Sequence, residues 1–464
     1  MSMRDTAAAL NSMHFTASTA KESNPACQES AQQLFVHTQG PLSLAMCSAQ
    51  DARAQFLNTS AVFVEVCMDC AANPDTSVSP TSPCTLGQMS YFKDLVDVTI
   101  HGEKCASLVL CAGTDGRMIT TCAYLIGSYM ILCTNSSLAD VASTFQPVAD
   151  RFERFKDGTE PETAEEMTVF DCWEALRCGK MQGWLDFTSE SPDLDRCIDM
   201  EEYIHYDNPA NGKLHVIIPS RLIAFPCPSD LEVDEESGEA PQWLDMAGGR
   251  HFGPDYYADI LGDFDVQLVV RCDASATYDD AAFASRGLAV ERLGGALEMR
   301  PQRLLQEVDR FLTLARLVPG MIGIHGADAG LGSGGELLVS SLLIKRHGFR
   351  ARSALAWLRI THPAVDAQRT LRFAVLPHQP PPAVPKLAPG ALHHHSAADL
   401  RCLPREDTLR FAAALRRCAS APAALDDEIW DRGWDAITQG EAGPPWADVP
   451  EPAVFEALDG ASLH

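Results

Sequence analysis

Positive charge is scarce in this chain: 36 lysines and arginines stand against 63 aspartates and glutamates over 464 residues, a formal charge of −27. An imbalance of that size repels nucleic-acid phosphates and anionic membrane surfaces over a Debye length, so neither is an expected partner. The start of the chain lacks a basic segment followed by an apolar run, and therefore does not read as a secretory signal. No uncharged apolar stretch of membrane-spanning length stands out either. These absences lead to the expectation of a soluble protein of the cytoplasm or nucleus. Its acidic surface serves solubility, or favours basic segments of partner proteins.

Disulfides are not expected, because the sixteen cysteines are spread over a long chain without a secretory signal. Most read as small core residues. Cys67-Met68-Asp69-Cys70 is a lone Cys-x2-Cys without a second pair at finger spacing, and the tract His393-His394-His395 reads as linker composition, so no metal or other cofactor is expected.

With 46% hydrophobic and 21% charged residues the composition is that of a globular protein, and its length favours two or three domains. Residues 1–60 are Ala/Ser/Thr-rich with little periodicity and read as an irregular segment. The apolar run Ala61 to Val66 reads as a strand that opens a domain over 61–167, and Asn73 to Pro83 as an exposed loop. Ser107 to Leu110 predicts a strand, followed by the small-residue loop Cys111 to Gly116 and then by Met118, Cys122, Leu125, Ile126 and Tyr129 at helical spacing. The same strand, loop and helix order returns at Met321 to Ile324, His325 to Gly334 and Leu337 to Ile344, which points to a degenerate internal duplication. Between the two units, 168–214 reads as a connection with a helical pattern around Phe170, Trp173 and Leu176, and a second domain spans 215–375 from the strand His215 to Ile218. A Pro-rich linker and a tail fill 376–464, with short helices expected at Thr408 to Arg417 and Leu425 to Ile437 that dock back on the protein or bind a partner.

The segment from Gly320 to Gly335, with Ala329-Gly330-Leu331-Gly332 at its centre, and the later Ala356-Trp357-Leu358-Arg359-Ile360 are joined upstream by Gly183-Trp184-Leu185-Asp186-Phe187, Glu202-Tyr203-Ile204-His205-Tyr206 and Ile217-Ile218-Pro219. In that order they resemble the cell division cycle fourteen (mitotic-exit) dual-specificity phosphatases. Ala123 to Tyr129 is similar to a first-domain helix of that family. The likeness covers roughly residues 90 to 373. It implies an α/β fold of two tandem phosphatase-like domains, each a central sheet flanked by helices.

In such enzymes a thiolate attacks phosphorus, backbone N–H groups at a helix N-terminus cradle the phosphate, an arginine clamps it, and a separate carboxylic acid protonates the leaving oxygen. The family loop reads His-Cys-Lys-Ala-Gly-Leu-Gly-Arg-Thr-Gly. Here His325 is followed by Gly326, Ala327, Asp328, Ala329, Gly330, Leu331, Gly332, Ser333 and Gly334, so no sulfur stands at the nucleophile's place and Ser333 or Gly334 stands at the arginine's. No register shift supplies a thiol, because no cysteine occurs between Cys272 and Cys402. The general-acid position falls on Leu297, with Glu298 one residue along. The remaining glycines still offer backbone donors to an anion.

A rival site is Cys111 with Arg117, which have Cys-x5-Arg spacing between a strand and a helix. Cys47 and Arg53 share the spacing without that context, so chance matches occur in this chain. The acidic run Asp230 to Glu239 reads as a solvated loop, or, by the resemblance, as a selector of basic peptides. The leading expectation is a pseudophosphatase that binds phosphorylated or basic peptide segments. The alternative is an active Ser/Thr/Tyr phosphatase that uses Cys111.

Overall fold

A computed structural model describes residues 13–17 and 35–363, apart from 39, 56–60, 69–81, 103–104, 156–166, 190–191, 194–195, 233–240, 247–248, 273–277, 294–300 and 327–330. The first half holds β1 (Met13–Ala17), β2 (Phe35–His37), β3 (Leu42–Ala45), α1 (Ala49–Gln55), β4 (Ala61–Met68), α2 (Leu86–Asp97), β5 (Ser107–Cys111), α3 (Gly116–Cys133) and α4 (Leu138–Phe145). Its five strands form one sheet in the order β1-β4-β5-β3-β2. Residues 1–60 are therefore not simply irregular: they contribute three of those strands and α1. The periodicity was too short to read there, since β2 has three residues and β3 four.

The connection is helical, with α5 (Val169–Met181) and α6 (Met200–Asp207). Beyond it come β6 (His215–Ile218), β7 (Leu222–Ala224), β8 (Trp243–Met246), β9 (Gly249–Phe252), α7 (Pro254–Asp263), β10 (Val266–Arg271), α8 (Ala281–Ser285), β11 (Ala289–Arg292), α9 (Pro301–Leu317), β12 (Met321–His325), α10 (Gly332–His347) and α11 (Ala351–Thr361). The second sheet runs β11-β10-β12-β7-β6, and β8 with β9 forms a separate hairpin.

Four strands of each sheet correspond in order and direction. In the first, β4 and β3 flank β5 in parallel and β2 adds antiparallel to β3. In the second, β10 and β7 flank β12 in parallel and β6 adds antiparallel to β7. The fifth strands differ, because β1 is antiparallel to β4 whereas β11 is parallel to β10. Each central strand feeds a long helix, which is the duplication the sequence pattern suggests.

One apolar core runs through both halves, and α5 is its keel. Thr168 starts this helix with a capping box to Asp171. Trp173 lies against α3 where Gly127 leaves room: a β-carbon there would sit 2.4 Å from the indole. Toward the other half, Trp357 of α11 lies against Gly179, where a β-carbon would sit 2.3 Å from its ring. Trp357 Nε1 also donates to the Ile217 carbonyl of β6 at 3.0 Å. Helix α3 has the length and hydropathy of a membrane span, contrary to the sequence reading, but 72% of it is buried within the fold, as suits a core helix.

Candidate functional site

The second strand–loop–helix unit is built on β12, whose five residues are all buried because β10 and β7 cover both its edges. His325 ends the strand fully buried. Its Nδ1 lies 3.3 Å from the Gly326 carbonyl, which only accepts, so Nδ1 carries the proton and Nε2 accepts from the Tyr278 hydroxyl at 2.7 Å. Burial pushes the Tyr278 phenol well above its ordinary range, and it remains a donor at neutral pH. The Arg271 guanidinium stacks over the Tyr278 ring, 4.0 Å from its centroid, and pairs with Asp280. Asp280 also accepts from Arg292 at 3.0 Å. Burial alone would raise the Asp280 carboxyl, but hydrogen bonds from Arg292 and Arg271 hold it below the usual range. Arg271, opposite His325 in the sheet register, is therefore engaged by a carboxylate and an aromatic face, and comes from β10 rather than from the loop.

One sulfur lies close to this loop's helix. Cys272 is buried, its N–H donates to the His325 carbonyl at 2.8 Å, and its Sγ would sit 3.3 Å from a β-carbon on Gly335 in the first turn of α10. It thus stands one residue past the neighbouring strand β10, against the helix, and not in the loop. Of the sequence-predicted loop residues, Gly326 and Gly334 are buried, Leu331 is fully buried, and Gly332 and Ser333 begin α10. Ala327, Asp328, Ala329 and Gly330 lie outside the described residues, as do Glu298, Cys70, most of the run Asp230 to Glu239, and the linker and tail from 364 onward.

In the first unit the period of two along β5 separates the sulfur from the helix. Leu108 and Leu110 join the main core with α3, whereas Val109 and Cys111 join a small cluster with Cys47, Ala49, Ala52 and Phe63 under α1. Cys111 is 2% exposed, and burial, with Cys47 and Glu65 nearby, pushes its thiol up to about 12. Arg117 is exposed and its Nε donates to Glu153 at 3.1 Å. The N-terminus of α3, where a phosphate would sit, is occupied by its own acid: Asp115 Oδ1 accepts from the N–H groups of Arg117 and Met118, both at 3.0 Å. The two members of the rival pair thus have separate partners. A thiol so buried and so weakly acidic should resist alkylation. Native protein treated with iodoacetamide at pH 8 is expected to leave Cys111 unmodified by peptide mass, with full labelling after denaturation.

Comparison with known proteins matches this architecture. The family model described as the dual specificity protein phosphatase N-terminal half matches residues 66–179, from the end of β4 to α5. Dual specificity protein phosphatase CDC14B of Mus musculus is 26% identical over 284 residues, which cover 61% of this chain and 53% of that protein. The CDC14C enzyme of Homo sapiens is 27% identical over 61% of this chain and 58% of its own, and the tyrosine-protein phosphatase CDC14 of Candida albicans 24% over 61% and 48%. The chain is similar to the CDC14 dual-specificity phosphatases over about three fifths of its length. It spans about half the length of the curated relatives it matches. A solved putative protein tyrosine phosphatase from Leishmania major matches 34% of this chain and 89% of that one at 19% identity, with a TM-score of 0.24, too slight a likeness to bear on the site.

As a CDC14-like protein it carries two tandem phosphatase-like domains, and sequence reasoning located both loops. It missed the groups beside them: Asp115 and Glu153 at the first, and Arg271, Tyr278, Asp280 and Cys272 around His325 and the start of α10 at the second. Signals existed for two of these. Asp115 sits one residue before a helical run, as an N-cap does, and Arg271 follows the apolar strand Val266 to Val270 directly.

Proposed function

We propose that this CDC14-like chain is a pseudophosphatase, a phosphatase-fold protein that binds or scaffolds phosphorylated or basic segments of other proteins without hydrolysing them. The observation that carries the reading is that neither strand–loop–helix unit offers a sulfur to its loop. Cys111 faces α1 on the far side of its sheet from α3, and the segment from His325 to Gly334 contains no cysteine. Without a thiolate there is no phospho-enzyme intermediate, and without a loop arginine the developing charge on the transferred phosphoryl group loses its bidentate partner. The binding role draws support from the acidic character of the chain, which favours basic segments.

Turnover of a small aryl phosphate by the purified full chain tests the reading. Wild type, Cys111→Ser and Cys272→Ser are expected to be equally inactive, at the uncatalysed background. Wild-type turnover that disappears in Cys111→Ser would move the active site to the first domain and overturn the proposal. Loss confined to Cys272→Ser would place the nucleophile behind α10 and overturn it as well.

A further inference from the structure

The C-terminal ends of α9 and α10 bring positive charge together on a chain that is otherwise strongly acidic. Arg221 donates to the carbonyls of Val318 and Pro319 at 3.2 and 3.3 Å and also bonds the Ala315 carbonyl, so it caps the end of α9. Helices α9 and α10 pack against each other and stand immediately before and after β12, so their C-terminal ends both lie where that strand begins. Arg316 and Arg346 are exposed, and Lys345 precedes Arg346 in the last turn of α10. Two of the exposed large apolar side chains lie at the same end: Leu317, the last residue of α9, is 66% exposed. Met181 is 37% exposed, next to Gln182, whose side chain donates to the His347 carbonyl at 3.3 Å.

The segment 425–464 has the complementary character. It holds ten acidic side chains against one arginine, Arg432, and its first part sets Leu425, Ile429, Trp430 and Trp434 at helical spacing among Asp426, Asp427, Glu428, Asp431 and Asp435. An acidic helix with an aromatic stripe needs a surface that is both basic and apolar. The hairpin β8–β9 also exposes Trp243, Leu244 and Met246, but Arg250 there is already paired with Asp245 at 2.7 Å, so it offers less positive charge.

Reach is sufficient. The described chain ends at Pro363, just past α11, and the patch lies beyond the other end of that helix, about 16 Å away at 1.5 Å per residue. The 61 residues from 364 to 424 supply far more length than that distance needs, at up to about 3.3 Å per residue.

We propose that residues 425–437 of this same chain dock on the surface formed by Met181, Arg221, Arg316, Leu317, Lys345 and Arg346, with the tryptophans over the apolar pair and the carboxylates toward the cations. This goes beyond the pseudophosphatase reading and does not depend on it. The surface lies at the opposite end of β12 and α10 from the degenerate loop, which leaves that loop open while the tail is bound.

The test uses the full chain carrying Arg346→Lys, which keeps the charge and adds an exposed amine for a zero-length carbodiimide crosslinker. Crosslinks from position 346 to carboxylates within 426–435 are expected, at a yield independent of protein concentration. Adding Trp430→Ala with Trp434→Ala, or Arg316→Glu, should lower that yield roughly tenfold, and about 0.5 M salt should lower it too. In the parent chain, amide hydrogen exchange around Met181 and Leu317 should be slower than in the double tryptophan variant. A yield that grows with protein concentration would make the contact intermolecular and overturn the proposal. So would crosslinks of 426–435 to lysines other than positions 345 and 346 in preference to those two, the absence of crosslinks, or identical exchange in the two chains.

Discussion

Trp173→Ala should lower the stability of the folded chain by about 3–5 kcal/mol, the range for removing a large buried aromatic. The indole is fully buried in the apolar core. It stacks on Phe145 at 5.4 Å, meets Phe170 edge-on at 5.2 Å, and donates from Nε1 to the Tyr124 carbonyl at 3.2 Å. Collapse around the hole is limited, because α3 already approaches to the backbone at Gly127. Denaturant unfolding of wild type and variant measures the difference. Since a single apolar core spans the two sheets, the midpoint should move for far-ultraviolet and tryptophan-fluorescence signals together. A loss under about 1 kcal/mol would show that α5 is not the keel of the fold.

Asp171→Ala should cost about as much, 3–5 kcal/mol, by removing the carboxylate that neutralises a largely buried guanidinium in the contact between α5 and α11. The Arg352 guanidinium donates to both Asp171 oxygens at 3.0–3.2 Å, and Thr168 donates to Oδ2 from its N–H at 2.8 Å and its hydroxyl at 2.6 Å. Their side chains are only 13% and 20% exposed. Burial by itself would raise the Asp171 carboxyl, but Arg352 and Thr168 prevail and hold it below its ordinary value. For a carboxyl depressed in the folded state, the stabilisation is present above the unfolded value of about 3.9 and is lost as pH falls through the folded one. The gap between wild type and Asp171→Asn should therefore be widest near pH 7 and narrow below about pH 4. Urea unfolding at pH 7 and pH 3 checks this, and an equal gap at both would show that the pair contributes nothing through its charge.

Much of the frame was legible in the residues. Strands β4, β5, β6 and β12 coincide with the apolar runs at Ala61, Ser107, His215 and Met321, and α5 with the pattern around Trp173. Long elements with one strong period announce themselves. Strands β2 and β3 did not, since three or four residues carry no period, and β3 finds its parallel partner far along the chain, with Leu42 opposite Leu108. The tight approach at Gly127 and Gly179 was equally hidden, because a glycine within a helical run reads only as a weak spot until the indole above it is known.

What the sequence determined by itself is chemical inventory: the stretch from His325 to Gly334 has no thiol and no guanidinium, and no arrangement of the backbone can create them. What only the tertiary structure decided is the state of the groups that are present. Cys111 and Arg117 have the spacing of a phosphate loop, yet the pleat of β5 sends the sulfur toward α1, and Asp115 fills the helix N-terminus that an anion would need. Arg271 is a charge at the end of a buried strand, and its partners, Asp280 and the Tyr278 ring, come from the segment that leads into α8. Identity is a covalent property, read residue by residue. Burial, pairing and acidity depend on neighbours that sheet and helix packing bring from far along the chain, and that is why spacing proposed a site at Cys111 and the fold closed it.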